Sequence, residues 1–225
     1  QLPPCMVTDG VYGPSATTWD NGFLNYERSA AAPYADGQSV LFDLHSNSVC
    51  NLASAVRPSV VYAMPGKGER VTISGEGSIE GDGQLWKSQQ GRFVVNVPLN
   101  HMGGTYISEG TLEAQDIKGD VHLRARGTLA GNAVVQGKLV LEGALNYEGC
   151  RLMPGTEAQP VGILTLKQGL TVDRRLFVEA DIDVSQGLSD CVAVEGDVNI
   201  TGDGQLMAVW AGAAMDPYAD CAMGS

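Results

Sequence analysis

The sequence predicts an all-β protein in which short strands wind into a solenoid. Three features of its 225 residues support this fold class. Short runs of alternating apolar residues fill most of the chain, glycines recur at intervals of six residues in its middle, and one turn-like phrase is written twice. Hydrophobic residues make up 44% of the chain, which is enough to form a large core.

The alternating runs begin at Ser39. Each run is short and is bounded by Gly, Asn or Pro, as in the segments SVLFDL, SVVYAM, RVTIS, QLWKS and RFVVNV. Runs of this kind between turn-forming residues are typical of β-strands. Because no segment convincingly combines a helix N-cap with a periodic apolar stripe, the pattern predicts strands and turns rather than helices.

The middle of the chain has glycines at a regular spacing, at Gly131, Gly137, Gly143 and Gly149. Six residues are too few for a hairpin with its own core, but they suffice for one strand and one corner. Glycine at the corner permits the positive φ of a sharp bend, and alternation turns every second side chain inward. Stacked units of this kind bury their apolar residues against their neighbours, which predicts a solenoid.

The repeated phrase reads GEGSIEGDGQL at residues 75–85 and GDVNITGDGQL at residues 196–206. Asp-Gly is a strong turn signal, so we interpret GDGQL as a turn that leads into a strand. The recurrence then has an architectural cause, because the solenoid would reuse the turn wherever it needs the same corner.

Between residues 176 and 206 the alternation predicts which side chains face the core. In LFVEADIDVS one strand face carries apolar residues and the other carries Phe177 and three acids. The predicted inward residues of this region are Leu176, Val178, Ala180, Ile182, Val184, Val192, Val194, Val198, Ile200 and Leu206.

The chain divides into three predicted parts. Residues 1–38 are rich in Pro, Gly and aromatic residues, and we interpret them as an irregular N-terminal cap or lead-in segment. Residues 39–210 are predicted to form the solenoid. Residues 211–225 are expected to cover its far end or to link it to a further domain, because the end of a solenoid exposes unpaired strand edges.

Charge and hydropathy exclude some classes of partner. The formal net charge is −12, which disfavours nucleic acids and anionic membranes. The longest apolar run, near LMAVWAGAAM, is about half the length of a membrane-spanning helix, so no membrane insertion is expected.

The five cysteines are Cys5, Cys50, Cys150, Cys191 and Cys221. None belongs to a CxxC pair, which argues against a zinc or redox motif. Their odd number means that at least one is free or pairs with another chain. Buried free thiols are one interpretation, and a bridge between Cys150 and Cys191 is another if the two residues stack.

The segment HMGGTYISEGTLEAQ, residues 101–115, resembles the autotransporter-associated β-strand repeat, whose usual form is close to Tyr-x-Gly-Gly-Thr-x-Ile-x-x-Gly-Thr-Leu. The matching residues are Gly103, Gly104, Thr105, Ile107, Gly110, Thr111 and Leu112. A looser similarity extends over residues 39–210. The resemblance implies a right-handed parallel β-helix on a bacterial surface or in a secreted protein, acting as a stalk, spacer or adhesive surface without catalysis.

Four aromatic residues are candidates for carbohydrate binding, because an aromatic ring face can stack on a pyranose. They are Trp19, Trp86, Tyr106 and Trp210. For each of them, packing at a corner or a cap is the structural alternative.

Three acids, Glu179, Asp181 and Asp183, alternate along one predicted strand face and are the candidate metal ligands. Calcium takes oxygen ligands of this kind. Alternate residues on a strand are, however, about 6.5–7 Å apart, which is too far for all three to share one ion without loops. A solvated acidic face is therefore the alternative.

No catalytic motif is present: the chain lacks GxSxG, a Walker A loop and HExxH. His45, His101 and His122 are predicted to be surface or turn residues. Either of two basic groups, Arg174 with Arg175 or His122 with Arg124 and Arg126, could serve as a lyase site, but salt pairing between stacked strands explains them more simply.

The expected function is therefore that of a non-catalytic extracellular module of a bacterium, a stalk, spacer or adhesin-like surface that meets a glycan or a protein partner. The alternative is a carbohydrate-binding accessory module of a polysaccharide-degrading system, and a third reading is a calcium-dependent polysaccharide lyase. No cofactor is expected except the calcium ion of the last alternative.

Overall fold

The computed structural model describes residues 8–13, 16–25, 27–43, 47–124, 126–142 and 149–210, with only the backbone described at Trp210. This part of the chain contains 24 β-strands and no α-helix, so the predicted all-β class is confirmed. It therefore holds no helix that is long and apolar enough to cross a membrane.

The first twelve strands are β1 (Gly10–Tyr12), β2 (Phe23–Leu24), β3 (Ser39–Phe42), β4 (Ser48–Asn51), β5 (Val60–Ala63), β6 (Arg70–Ser74), β7 (Gln84–Lys87), β8 (Arg92–Val95), β9 (Thr105–Ile107), β10 (Gly110–Ala114), β11 (Asp116–Ile117) and β12 (Val121–Arg124). The others are β13 (Gly127–Gly131), β14 (Val134–Val135), β15 (Leu139–Glu142), β16 (Cys150–Pro154), β17 (Ile163–Leu166), β18 (Leu170–Val172), β19 (Arg175–Ala180), β20 (Ile182–Asp183), β21 (Leu188–Ser189), β22 (Cys191–Val194), β23 (Val198–Ile200) and β24 (Gln205–Trp210).

Two eight-stranded sheets dominate the architecture. The first sheet has the order β15-β12-β9-β7-β5-β3-β1-β2, and the second has the order β24-β19-β16-β13-β10-β8-β6-β4. Every pairing in these sheets is parallel except that of β1 with β2. Parallel strands need a crossover connection, so the chain leaves each sheet before it returns to it.

A third sheet, β11-β14-β17-β22, supplies part of that crossover. Before β11 the same position is held by single parallel bridges from Val56 to Ile79, from Ile79 to Leu99 and from Leu99 to Ile117. The chain thus visits the first, second and third sheets in turn. This order is compatible with a β-helix.

The core is built from columns of residues that occupy matching positions on successive strands. In the second sheet one inward column contains Val71, Phe93, Leu112, Leu129 and Leu152, all of them fully buried. Along each strand, inward residues alternate with outward residues, as the two-residue period of a β-strand requires. This arrangement agrees with the general expectation that alternation turns every second side chain inward.

The segment predicted as an irregular N-terminal lead-in contains two short strands. β1 pairs in parallel with β3, and β2 folds back on β1, so residues of this segment extend the first sheet. Aromatic rings fill the space beneath: Trp19 contacts the rings of Phe23, Tyr34 and Phe42 at centroid distances of 5.5, 5.6 and 5.5 Å. Residues 211–225, predicted to cover or extend the far end, lie outside the described residues.

The repeated GDGQL phrase is a turn before a strand at both places. Gly81 and Gly202 have φ values of 86° and 59°, and Gln84 and Gln205 begin β7 and β24. The expectation that both copies serve the same corner is wrong, because β7 lies in the first sheet and β24 in the second. The predicted corner glycines also differ: Gly131 has a φ of 101°, whereas Gly137 and Gly149 are not left-handed.

The inward pattern predicted for residues 176–184 stops at Ala180. There β19 ends, and β20 pairs with β21 in an antiparallel hairpin that leaves Ile182 and Val184 exposed. The prediction that these two side chains face the core is wrong because the backbone turns out of the sheet. The turn is fixed by Asp190, whose carboxylate accepts hydrogen bonds from the backbone N–H groups of Asp181 and Gly162.

The last strands keep the inward register but not the burial. Leu206 occupies the position next to Leu176, and Val198 and Ile200 continue the column of Leu170 and Val172. Leu176 is 0% exposed and Leu206 is 45% exposed. Since β22, β23 and β24 each stand at a sheet edge within the described residues, nothing described here covers these apolar side chains.

Three cysteines lie in the described part of the chain, and all three are free thiols. Cys50 and Cys150 are buried and Cys191 is exposed, so the bridge considered between Cys150 and Cys191 is absent. Burial raises the pKa of the Cys50 thiol to about 12 and that of Cys150 to about 11. Both therefore behave as inert core residues.

Candidate functional site

The predicted aromatic residues do not form a common platform. Trp19 is fully buried in the N-terminal aromatic cluster, so its ring offers no face to a sugar. Trp86 and Tyr106 lie on the outward face of the first sheet, in one register column. Trp210 belongs to β24, where it pairs with Ala180, and its side chain lies outside the described residues.

The rings of Trp86 and Tyr106 stack on each other and are not open to solvent. Their centroids are 4.1 Å apart, and the ring of His122 stacks on Tyr106 at 4.5 Å. The guanidinium of Arg124 lies 5.5 Å from the Trp86 centroid. Trp86 and Tyr106 are only 4% and 6% exposed. These neighbours cover the ring faces, which corresponds to the packing alternative for these residues.

The predicted basic stripe is partly a salt cluster. Nδ1 of His122 lies 2.6 Å from Oε1 of Glu142, and Arg124 donates to Oε2 of Glu142 at 3.0 Å. Burial raises the pKa of Glu142, but the hydrogen bonds from His122 and Arg124 outweigh burial, so the net pKa is lowered. Arg126 forms an ion pair with a different acid, its Nη1 lying 4.0 Å from Oε1 of Glu109.

This cluster supports the expectation that salt pairing connects neighbouring strands, because β12 pairs with β15. Two contacts of the second basic group are of a different kind, since one joins adjacent residues and the other involves a neutral side chain. Arg174 donates to Asp173 at 2.9 Å, and Arg175 donates to the side chain of Gln205 on β24 at 3.1 Å.

Two of the three candidate metal ligands, Glu179 and Asp183, contact different partners. Glu179 forms a salt bridge of 2.6 Å with Arg151, and Asp183 accepts hydrogen bonds from Ser185 and Gln186 in its own hairpin. Asp181 and Asp183 do line a cavity of about 660 Å³ beside the hairpin. Within the described ranges, however, no group of three or more His, Cys, Asp or Glu residues could hold a metal ion.

Lys87 and His101 are among the buried polar side chains, and the sequence analysis does not place either of them in the core. Lys87 is 0% exposed, and its ammonium donates to the carbonyl oxygens of Ser88, Gln89 and Glu109 at 2.9, 2.7 and 3.0 Å. Burial lowers its pKa to about 7, and the charge of Glu109 opposes that shift. The ammonium holds together two turns that follow successive strands of the first sheet.

His101 was expected to be a surface or turn residue. It is buried, and its Nε2 lies 3.0 Å from Oγ1 of Thr105. Burial lowers its pKa to about 4, so the ring is neutral at physiological pH. The surface expectation is wrong for His101. His122 is half-buried, and His45 lies outside the described residues.

A partly exposed cluster of charged side chains lies on the outward face of the second sheet. The sequence analysis proposes no site there. Arg70 on β6 and Arg92 on β8 stand directly opposite each other. Like charges in this position repel each other. A carboxylate compensates them: Glu157, from the loop of residues 155–161, forms ion pairs with Arg70 and, at 3.7 Å, with Arg92.

Glu113 completes this charged network on β10. Its Oε2 accepts a hydrogen bond of 2.6 Å from Arg92, and its side chain is nearly buried. The order Arg70, Glu157, Arg92, Glu113 alternates in charge, and we refer to these four residues as the charged network. Glu157 is its most exposed member, with 61% of its side chain accessible.

Two cavities flank Glu157 along the sheet. The larger, of about 740 Å³, is bordered by the exposed amides of Asn96, Gln115 and Asn132. The smaller, of about 410 Å³, is bordered by Gln90 and Thr111, and both include Arg70. Cavities of this size are typical of small-molecule sites. We refer to the two together as the second-sheet groove.

One feature of this groove is visible in the sequence, and the others are not. Arg70 and Arg92 both begin alternating runs, RVTIS and RFVVNV, so an in-register sheet would place them side by side. Nothing in the local sequence around Glu157 indicates that its loop reaches back to β6. That contact depends on the three-dimensional path of residues 155–161.

No protein-family model, no curated protein sequence and no solved structure matches this chain. The function of the chain is therefore inferred from the geometry of the described residues and from the resemblance of residues 101–115. In the structure that resembling segment contains β9, a turn through Ser108 and Glu109, and β10.

Proposed function

We propose that the chain is a right-handed parallel β-helix that acts as a non-catalytic module outside a bacterial cell, as a stalk, spacer or adhesin-like surface. The observation that carries the proposal is the continuous parallel register of two eight-stranded sheets around one apolar core. Proteins built this way gain stability from contacts between neighbouring repeats and present long regular surfaces.

The arrangement of reactive side chains supports the absence of catalysis. His122 and Arg124 on β12 both contact the carboxylate of Glu142 on β15. The ammonium of Lys87 donates to three carbonyl oxygens. A catalytic group needs access to substrate and a partner that tunes it for proton transfer. In these contacts each group instead stabilises the pairing of strands.

The test of the main proposal has an adhesive arm and a catalytic arm. Beads coated with the purified chain should be retained on surfaces bearing a glycan or a protein partner, and beads coated with the heat-unfolded chain should not. Incubation with polysaccharides, with and without calcium, should yield no unsaturated product by ultraviolet absorbance. Product formation would contradict the non-catalytic proposal.

A second candidate function is carbohydrate binding, and the second-sheet groove favours it. Its border carries exposed amides and arginine donors, which suit the hydroxyl and carboxylate groups of saccharides. A glycan array on the purified chain, run with calcium and after chelation, tests this candidate. We expect binding that survives chelation, since the described groove residues need no metal to offer hydrogen bonds.

A further inference from the structure

We propose that the second-sheet groove binds acidic saccharides, and that a uronate carboxylate takes the place of Glu157 between Arg70 and Arg92. This inference rests on the second candidate function and names its site and its ligand class. It concerns residues that the aromatic and metal-ligand hypotheses did not include.

The first step of the argument is that the two arginines need a carboxylate. They occupy opposite positions on adjacent parallel strands, where two positive charges destabilise the pair unless an anion lies between them. Glu157 supplies the anion to both. Arginine presents a planar set of donors that matches a carboxylate, so the same position suits a carboxylate from a ligand.

The second step is that Glu157 can be displaced. It reaches the arginines from a loop, and its side chain is largely exposed. Ion pairs this exposed contribute little free energy because water screens them. Glu113, in contrast, is nearly buried beside Arg92 and belongs to a strand of the sheet. Displacement of Glu157 therefore leaves Arg92 partly compensated and Arg70 available to the ligand.

The third step concerns the class of the ligand. Glu157 borders both cavities of the groove, so a ligand carboxylate at its position would have space on either side. Along these cavities Asn96, Gln115 and Thr111 offer neutral donors and acceptors. Such groups suit the hydroxyls along a sugar chain, which the side chains of an acidic peptide lack.

The experiment measures binding of oligogalacturonate to the purified chain by calorimetry, with its methyl ester as the uncharged comparison. We expect the acid to bind and the ester to bind at least tenfold more weakly. Glu157→Gln should tighten binding of the acid about two- to fivefold, because it removes the internal competitor. Arg70→Gln should weaken binding at least tenfold.

Matched variants separate local effects from net charge. Glu195→Gln removes an acid of similar exposure that pairs with Lys167, and Arg57→Gln removes an arginine that pairs with Glu80. Neither is among the residues bordering the groove, and neither should change affinity more than slightly. Binding should also weaken as salt concentration rises.

The outcomes distinguish the two proposals. If acid and ester bind equally, or if Glu157→Gln acts no differently from Glu195→Gln, the uronate inference is overturned while carbohydrate binding stands. If oligoglutamate binds as tightly as the uronate, the saccharide assignment is overturned. If no saccharide of any charge binds, both the inference and the carbohydrate-binding candidate fail, and the adhesive or spacer function remains.

Discussion

Replacing Lys87 with Met gives a direct test of how the two turns of the first sheet are held together. The ammonium is fully buried and donates to three carbonyl oxygens, from Ser88, Gln89 and Glu109. Met has a similar length but no donor. The three acceptors are part-buried, so each one left without a partner costs at most about 1–3 kcal/mol, and the removal of a buried charge offsets part of that cost. We therefore expect a net loss of about 2–4 kcal/mol at pH 7.

The pH dependence of that loss follows from the pKa of Lys87. Burial lowers it to about 7 in the folded chain, from 10.5 in the unfolded chain. Between these values the unfolded state binds more protons, so this residue makes the free energy of unfolding rise with pH, by up to about 1.4 kcal/mol per unit. Below pH 7 both states are protonated and the dependence disappears. The Met variant lacks it throughout.

Chemical denaturation of both proteins at several pH values from 6 to 9.5 measures the difference. Other titrating groups, such as the buried Cys50 thiol, are common to both proteins and cancel. Lys138→Met, at an exposed position, is the control and should change stability by less than about 0.5 kcal/mol. A difference between wild type and Lys87→Met that stays constant from pH 7 to 9.5 would refute the reasoning.

Three further predictions concern the turns, the core and the thiols. Gly110→Ala should lower the free energy of unfolding by more than about 2 kcal/mol, because Gly110 has a φ of 69° and an added Cβ would lie 2.3 Å from the Gln89 carbonyl oxygen. The control is Gly187→Ala, which is also left-handed but has open space around it. It should lower the free energy of unfolding by only about 1 kcal/mol in thermal melts. Phe93→Ala should destabilise the chain by about 3–5 kcal/mol in the same assay, because its ring is fully buried in the main core. Cys191 should react with a thiol reagent in the native state, and peptide mapping should find Cys50 unmodified until the chain unfolds.

Strand identity and facing could be predicted because they are local properties. In RFVVNV the inward Phe93 and Val95 alternate with the outward Arg92 and Val94, and one strand suffices to show it. Burial at the end of the fold could not be predicted this way. Leu206 has the same local pattern as residues that are fully buried earlier in the chain, and its exposure depends on whether another strand pairs beyond β24.

The candidate site was missed for a different reason. Motif searches look for chemistry within a short segment, whereas the second-sheet groove takes Arg70, Arg92 and Glu113 from three separate strands and Glu157 from a distant loop. Strands in a sheet are about 4.8 Å apart, so residues far apart in sequence become neighbours once the register is fixed. The lengths of the intervening turns, together with the apolar pattern of each strand, decide that register.

The two outward faces illustrate how one core can support different surfaces. Most inward positions are apolar, with Lys87 on β7 as an exception, but outward positions are free to differ between sheets. On the first sheet they form a column in which the rings of Trp86, Tyr106 and His122 stack on one another. On the second sheet two arginines share the exposed carboxylate of Glu157, which comes from a loop. A ligand would compete with packed rings on the first face but only with an exposed ion pair on the second, and this difference is why we place the proposed saccharide site on the second face.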